Sequence, residues 1–158
     1  MRNRIFFIAI LSAVFLITSC RDDYSICNPT KDVRFIGGFY QRISGVDVPI
    51  QAPSLSIILL NAANPIYSNE PNLLEFSLPL NQQVDSAKYV LSLGNNQPLD
   101  TMTIVYSSQN APADANACGL YFVHTISKIY TTKNTIDSVK LIQPLINTSA
   151  MQNAKIYF

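Results

Sequence analysis

The chain has 158 residues, of which 11 are Lys or Arg and 10 are Asp or Glu, so its net charge is close to zero. This balance argues against a nucleic-acid partner, which requires an extended basic surface. The length suits one domain with a hydrophobic core, and two domains would be cramped.

The first twenty residues have the pattern of an export signal. Arg2 and Arg4 precede an apolar run over residues 5–17, which is short for a membrane span and suits the core of a signal peptide. The run ends in Leu16-Ile17-Thr18-Ser19-Cys20, which resembles the lipobox of bacterial lipoproteins. The alternative is a single N-terminal transmembrane anchor in which Cys20 is incidental.

The resemblance to lipoproteins implies how the chain is divided. Signal peptidase would remove residues 1–19, expected to be a helix, and Cys20 would carry the lipid that anchors the mature chain. Residues 20–31 are then a lipidated tether, and residues 32–158 are the folded domain. Arg21-Asp22-Asp23 resembles the surface-export signal of Bacteroidota-type lipoproteins. The expected location is therefore the outer membrane, facing either the cell surface or the periplasm.

Two cysteines, Cys27 and Cys118, remain once Cys20 is lipidated. An exported chain reaches a compartment that permits disulfides, and we therefore predict that these two residues pair. The bridge would close a loop of roughly 90 residues, worth about 4–5 kcal/mol in the chain-entropy model. The alternative is two buried free thiols.

Short apolar runs separated by turn residues predict a series of strands after the tether. The predicted strands cover residues 33–40, 54–60, 73–78, 88–93, 101–107, 119–129, 138–142 and 155–158. Leu74, Phe76 and Leu78 alternate with polar residues and are expected on one buried face. The pair Gly37-Gly38 predicts a bulge or a close backbone approach. Residues 109–116 are expected to form a loop, and residues 147–153 have room for one helical turn.

These elements predict an all-β fold, an immunoglobulin-like or transthyretin-like β-sandwich of about seven or eight strands. No stretch of the mature chain has sustained helical spacing of apolar residues. The alternative is a small closed β-barrel.

The lipobox and six short motifs occur in an order that resembles a family of small uncharacterised lipoproteins from Bacteroidota-type bacteria. The motifs are Arg34-Phe35, Gly38-Phe39-Tyr40, Leu78-Pro79-Leu80-Asn81, Ile104-Val105-Tyr106, Ala117-Cys118-Gly119 and Lys155-Ile156-Tyr157-Phe158. The resemblance covers most of the mature chain and implies an all-β lipoprotein. It implies no catalytic or binding residue, because the function of those proteins is not established.

The residues that carry chemistry are few, and His124 is the only histidine. A Ser-His-Asp site would need a carboxylate and a hydroxyl in contact with it, and the nearest in sequence are Asp114, Asp137 and Ser127. His124 lies in an apolar run and the chain has no Gly-x-Ser-x-Gly motif, so we expect a structural histidine and no catalytic residue. A single His and no Cys-x-x-Cys motif predict no metal site and no cofactor.

Three sites, at Ser86, Thr101 and Ser138, have the sequence Asp, then Ser or Thr, then a small or aliphatic residue. The pattern resembles the O-glycosylation acceptor motif of exported Bacteroidota proteins. The alternative is structural, because Asp-Ser and Asp-Thr commonly open strands after turns.

The expected function is that of a non-enzymatic, lipid-anchored interaction or accessory module of the cell envelope. It would contact the membrane through the lipid on Cys20, and an envelope protein through edge-strand pairing or an exposed face. The alternative is a module that binds glycans or another small ligand, although the chain has no Trp to serve as a sugar platform. A hydrolase built around His124 is the third possibility.

Overall fold

The computed structural model describes residues 33–112 and 120–158, whose strands form two β-sheets. The eleven strands are β1 (Arg34–Ile43), β2 (Val46–Pro49), β3 (Ala52–Leu59), β4 (Tyr67–Leu73), β5 (Glu75–Pro79), β6 (Ser86–Leu93), β7 (Asp100–Pro112), β8 (Leu120–Thr131), β9 (Ser138–Leu141), β10 (Leu145–Ile146) and β11 (Ala154–Tyr157). The all-β prediction is confirmed for these ranges, which contain no helix. Accordingly, the described chain has no helix long and apolar enough to cross a membrane.

The first sheet has five strands in the order β2-β1-β11-β9, with β5 also paired to β1. The second sheet has six strands in the order β10-β8-β7-β6-β3-β4. β1 and β11 run parallel, in register from Gly37 opposite Ala154 to Tyr40 opposite Tyr157. The other strand pairs are antiparallel. The first described strand thus lies beside the last one.

One hydrophobic core contains buried side chains from both sheets. Its largest fully buried members include Phe35, Phe39 and Phe76 from the first sheet and Tyr89, Met102 and Ile104 from the second. Burial of each such side chain contributes about 1.5–3 kcal/mol. The inner faces of the two sheets therefore hold the fold together.

Gly37 and Gly38 serve close packing, the second of the two roles predicted for them. A Cβ atom on Gly37 would lie 2.6 Å from Cζ of Phe76 and 2.8 Å from Cδ1 of Ile156. A Cβ atom on Gly38 would lie 1.8 Å from Nε2 of Gln152. The register of β1 with β5 runs through both glycines without a shift, so β1 has no bulge there.

Three local predictions need correction. Leu74 is predicted to lie on a buried face, but it is 50% exposed because it lies between β4 and β5 and belongs to neither strand. β7 continues to Pro112, through the start of the predicted loop over 109–116. Residues 147–153 contain a turn and no helix.

The described residues form more strands than the seven or eight predicted. β2, β4 and β10 went unrecognised. β10 has two residues, and β4 has the polar sequence YSNEPNL. Apolar alternation identifies a strand only where several alternate residues of it are buried, and none of these three strands has more than one buried residue.

A polar network joins β2 to β11 on the face of the first sheet opposite the core. Asp47 Oδ2 accepts hydrogen bonds from Lys155 Nζ at 3.0 Å and from the Tyr157 hydroxyl at 2.9 Å. Asp47 Oδ1 accepts one from Arg42 Nε at 3.2 Å. The bond from Lys155, followed by that from Tyr157, lowers the pKa of Asp47 to about 2.

Candidate functional site

An apolar cleft of about 480 Å³ opens between the end of β3, the start of β6 and the connection from β5 to β6. Its walls are Leu59, Leu60, Pro79, Leu80, Asn81, Val84 and residues 86–89. The chain turns away after β3 at Asn61, whose φ of 69° is one that asparagine tolerates. This turn leaves Leu59 and Leu60 at the rim of the cleft.

Two buried tyrosines hold the connection that forms one wall. The Tyr106 hydroxyl donates to the Asn81 carbonyl oxygen at 2.9 Å and accepts from the Asn81 N–H at 3.1 Å. The Tyr89 hydroxyl donates to the carbonyl oxygen of Pro79. Burial raises the pKa of both phenols above its ordinary value. Both hydroxyls bind the protein's own backbone, so the wall is preformed.

The rim of the cleft is apolar and faces solvent. Leu60 is 45% exposed and Val84 is 46% exposed. The cleft also lies beside the start of β1, because Arg34 pairs with Pro79, one of the wall residues. Apolar surface beside a pocket is a common property of binding sites.

The chemistry of the walls favours an apolar group over a sugar. Tyr89 is the one aromatic residue in the lining, and it is fully buried. A glycan would stack on an exposed aromatic face, and the lining offers none. Aliphatic side chains instead make up most of the wall.

His124 contacts Ser108, a residue that the sequence had not singled out. The two residues face each other on β8 and β7, with Ser108 Oγ 2.9 Å from His124 Nδ1. His124 is 3% exposed, its ring lies edge-on to Tyr106, and burial lowers its pKa. Strand register brings the pair together, and register is difficult to read from one sequence.

The pair lacks the third member of a hydrolase triad within the described residues. Of the neighbours named from sequence, Ser127 donates its hydroxyl to the Val105 carbonyl oxygen. Asp137 is exposed in the segment before β9, and Asp114 lies outside the described ranges. Where the chain is described, His124 has no hydrogen bond to a carboxylate. The geometry is that of a polar cross-strand pair at the edge of the core.

The three candidate glycosylation sites differ in their surroundings. The carboxylate of Asp100, before Thr101, is buried and accepts hydrogen bonds from Thr132 Oγ1 and from the N–H groups of Asn134, Thr135 and Ile136 at 2.7–2.9 Å. Thr101 and Ser86 are themselves half-buried. Asp137 and Ser138 are both exposed, at the start of the edge strand β9. Ser138 is therefore the most accessible of the three.

The remaining predicted sites fall outside the described residues. They are the signal segment 1–19, the lipidation site Cys20 and the two cysteines of the predicted disulfide, Cys27 and Cys118. Within the described ranges, no three His, Cys, Asp or Glu residues come together as metal ligands.

The comparison with protein families gives a match. Residues 54–158 match DUF6452, a family of unknown function, and the chain belongs to this family. The matched region includes the whole cleft and the Ser108–His124 pair. No curated protein and no solved structure matches the chain.

Proposed function

We propose that this member of DUF6452 is a lipid-anchored envelope lipoprotein that acts as a non-enzymatic interaction module. In this proposal Cys20 carries the lipid, Cys27 pairs with Cys118, and the domain is an immunoglobulin-like or transthyretin-like sandwich at the outer membrane. The partner is an envelope protein that inserts apolar side chains into the cleft. The observation that carries the proposal is the preformed apolar cleft with the exposed rim residues Leu60 and Val84.

The place of the cleft supports a partner near the membrane. Cys20 precedes Val33 by 13 residues, so a fully extended tether reaches at most about 45 Å. Because β1 begins beside the cleft wall, the cleft would lie at the end of the domain that is tied to the bilayer.

The Ser108–His124 pair supports a structural role rather than catalysis. The imidazole is buried, burial lowers its pKa, and its described polar partner is one hydroxyl. A general base needs an orienting group, and none accompanies this pair among the described residues.

Photocrosslinking in the native membrane tests the proposal. A photoreactive amino acid in place of Val84 should give a reproducible crosslink to one envelope protein. The matched control is the same replacement at Val46, which is 62% exposed on β2 and outside the cleft. Equal capture from both positions, or no protein crosslink from Val84, would contradict the proposal.

The alternative is a small apolar ligand, favoured by the cleft's volume of about 480 Å³, which lies in the range of ligand pockets. Native mass spectrometry of the acylated protein extracted from its membrane should then show a bound small molecule. Leu60→Asp should abolish that added mass, whereas Leu145→Asp, an exposed site on β10, should keep it.

The proposed disulfide has a direct test. Alkylation of the unfolded mature chain without reductant should leave its mass unchanged, and alkylation after reduction should add two groups. Two additions without reductant would show that Cys27 and Cys118 are free thiols.

A further inference from the structure

β7 extends beyond β6, the strand that pairs with one of its two sides. The last backbone bond between them runs from the Tyr106 N–H to the Asp85 carbonyl oxygen, at 2.8 Å. Strand alternation directs the N–H and C=O groups of Ser108 and Asn110 to that same side. Within the described residues, none of these groups has a hydrogen-bond partner there. We call residues 107–111 of β7 the overhang.

The overhang lacks the features with which edge strands discourage pairing with another chain. The edge strand β4 contains Pro71 and two residues with positive φ, Asn69 and Asn72. The edge strands β2 and β9 have four residues each, and β2 ends at Pro49. The overhang is uncharged and contains no proline. Of these edges, it is therefore the one that best accepts an additional strand.

A polar notch of about 520 Å³ lies beside the overhang. Its walls come from residues 106–108 of β7 and from residues 82–85, which precede β6. The notch gives another strand room next to the unpaired backbone groups of Ser108. Val84 is a wall of both the notch and the apolar cleft, so the two sites are adjacent.

The spacing of the unpaired groups suits an extended peptide. Ser108 and Asn110 are two residues apart, so their N–H groups repeat at about 7 Å along the edge of the sheet. The carbonyl and N–H groups of another extended chain have the same repeat. A chain laid along the overhang therefore satisfies both residues at once.

The direction of β6 determines which end of an antiparallel strand meets the cleft. β6 runs antiparallel to β7 and begins at Ser86, opposite Val105. An antiparallel strand on the overhang has the same direction as β6 and lies ahead of its first residue. The C-terminal end of that strand therefore reaches Asp85 and Val84, and the residue that follows it lies next to the cleft.

We propose that the partner binds through an extended segment that pairs antiparallel with the overhang and places the apolar residue that follows it in the cleft. This inference rests on the proposed interaction function and names the part of the partner that the site takes. The N–H groups of Ser108 and Asn110 donate to carbonyl oxygens of the segment, and their carbonyl oxygens accept from its N–H groups. Backbone pairing supplies affinity and the cleft selects the side chain, as in other peptide recognition by strand addition.

Amide hydrogen exchange measures whether the edge is open in the free protein. The acylated mature protein is studied in detergent micelles without a partner, and exchange is followed residue by residue by NMR. The amides of Ser108 and Asn110 should exchange at least about a hundredfold faster than that of Ile104, which lies inside the β6–β7 pairing. Slow exchange of both amides would overturn the proposal, because the edge would already be covered within the protein.

Photocrosslinking in the native membrane tests the direction of the pairing. Photoreactive amino acids at Ser107, Gln109 and Val84 should link to one segment of one protein, as located by peptide mass spectrometry. The residue linked to Gln109 should precede the one linked to Ser107 by two positions, and the residue linked to Val84 should follow both. The same probe at Ser138, on the edge strand β9, should give no link to that segment.

A proline substitution tests the backbone bonds themselves. Asn110→Pro removes an N–H group from the open side of β7, whereas the N–H groups of Gln109 and Ala111 point toward β8 and are kept. The yield of the Val84 crosslink should fall at least about tenfold in this variant. Asn110→Ala keeps the N–H group and is the matched control, with an unchanged yield. Equal yields from the two variants would contradict the backbone pairing.

The outcomes separate this inference from the proposed function. A Val84 crosslink to a partner, without crosslinks from Ser107 and Gln109, refutes the added strand and leaves the cleft as the binding site. The reverse order of the linked residues, or links from the overhang to a second copy alone, also refutes it. Absence of any protein crosslink from Val84 contradicts both proposals.

Discussion

At the scale of single residues, Asp100 is the one carboxylate buried within the described residues. Its two oxygens accept four hydrogen bonds from residues 132–136, the segment that follows β8. Burial raises the pKa of Asp100, but these bonds outweigh it and leave the pKa below its ordinary value. The carboxylate thereby fixes the chain that crosses from the second sheet to the first.

Asp100→Asn should destabilise the protein by about 2–3 kcal/mol. The NH₂ group of the new amide would face N–H and O–H groups that now donate to a carboxylate oxygen. Urea unfolding followed by circular dichroism measures the change. Asp85→Asn, at an exposed position of the same Asp-Ser/Thr pattern, should change stability by less than about 0.5 kcal/mol. Equal effects of the two substitutions would show that the four contacts contribute little.

At the scale of elements, the junction of β1, β5 and β11 depends on Gly37. The ring of Phe76 on β5 and the side chain of Ile156 on β11 occupy the space where a Cβ atom would lie. The three strands therefore fit only around a residue without a side chain.

Gly37→Ala should cost about 1–3 kcal/mol through overpacking. Phe76→Leu alone should also destabilise, because it removes a buried ring. The double variant should be more stable than the sum of the two effects predicts, since the smaller side chain makes room for the methyl group. Strict additivity in thermal or urea unfolding would argue against this account.

The sequence predicted those elements in which apolar residues alternate over a buried face. β6 follows this rule, with Tyr89, Leu91 and Leu93 all buried as expected. β4 and β10 do not, because β4 has no fully buried residue and β10 has only Ile146, which is too little for an alternating pattern. The cleft and the Ser108 contact of His124 were unpredictable for a related reason, since both require the register of distant strands.

At the scale of the whole molecule, two lowered carboxylate pKa values link stability to pH. Asp47 joins β2 to β11, and Asp100 joins β7 to the segment before β9. Both pKa values are lower in the folded protein than the ordinary value of 3.8, that of Asp47 lying at about 2. Below pH 4 the unfolded chain therefore binds more protons than the folded one, and stability falls as the pH falls.

Urea midpoints measured between pH 6 and pH 2 should be constant at first and should decline below about pH 4. Asp47→Asn should flatten part of this decline, since the amide does not titrate. If the urea midpoint of this variant falls with pH as steeply as that of the unmodified protein, Asp47 does not cause the loss of stability in acid. Asp85→Asn serves as the control.

The parallel pairing of β1 with β11 also limits when β1 is able to complete its folding. The backbone N–H of Ile36 bonds to Oδ1 of Asn153, 117 residues further along the chain. As the chain emerges from the ribosome, β1 cannot acquire this neighbour until residues 153–157 have followed. Contacts so distant in sequence form slowly. Until then β1 lacks one of its native neighbours, and an apolar strand that is transiently unpaired is prone to association with other chains.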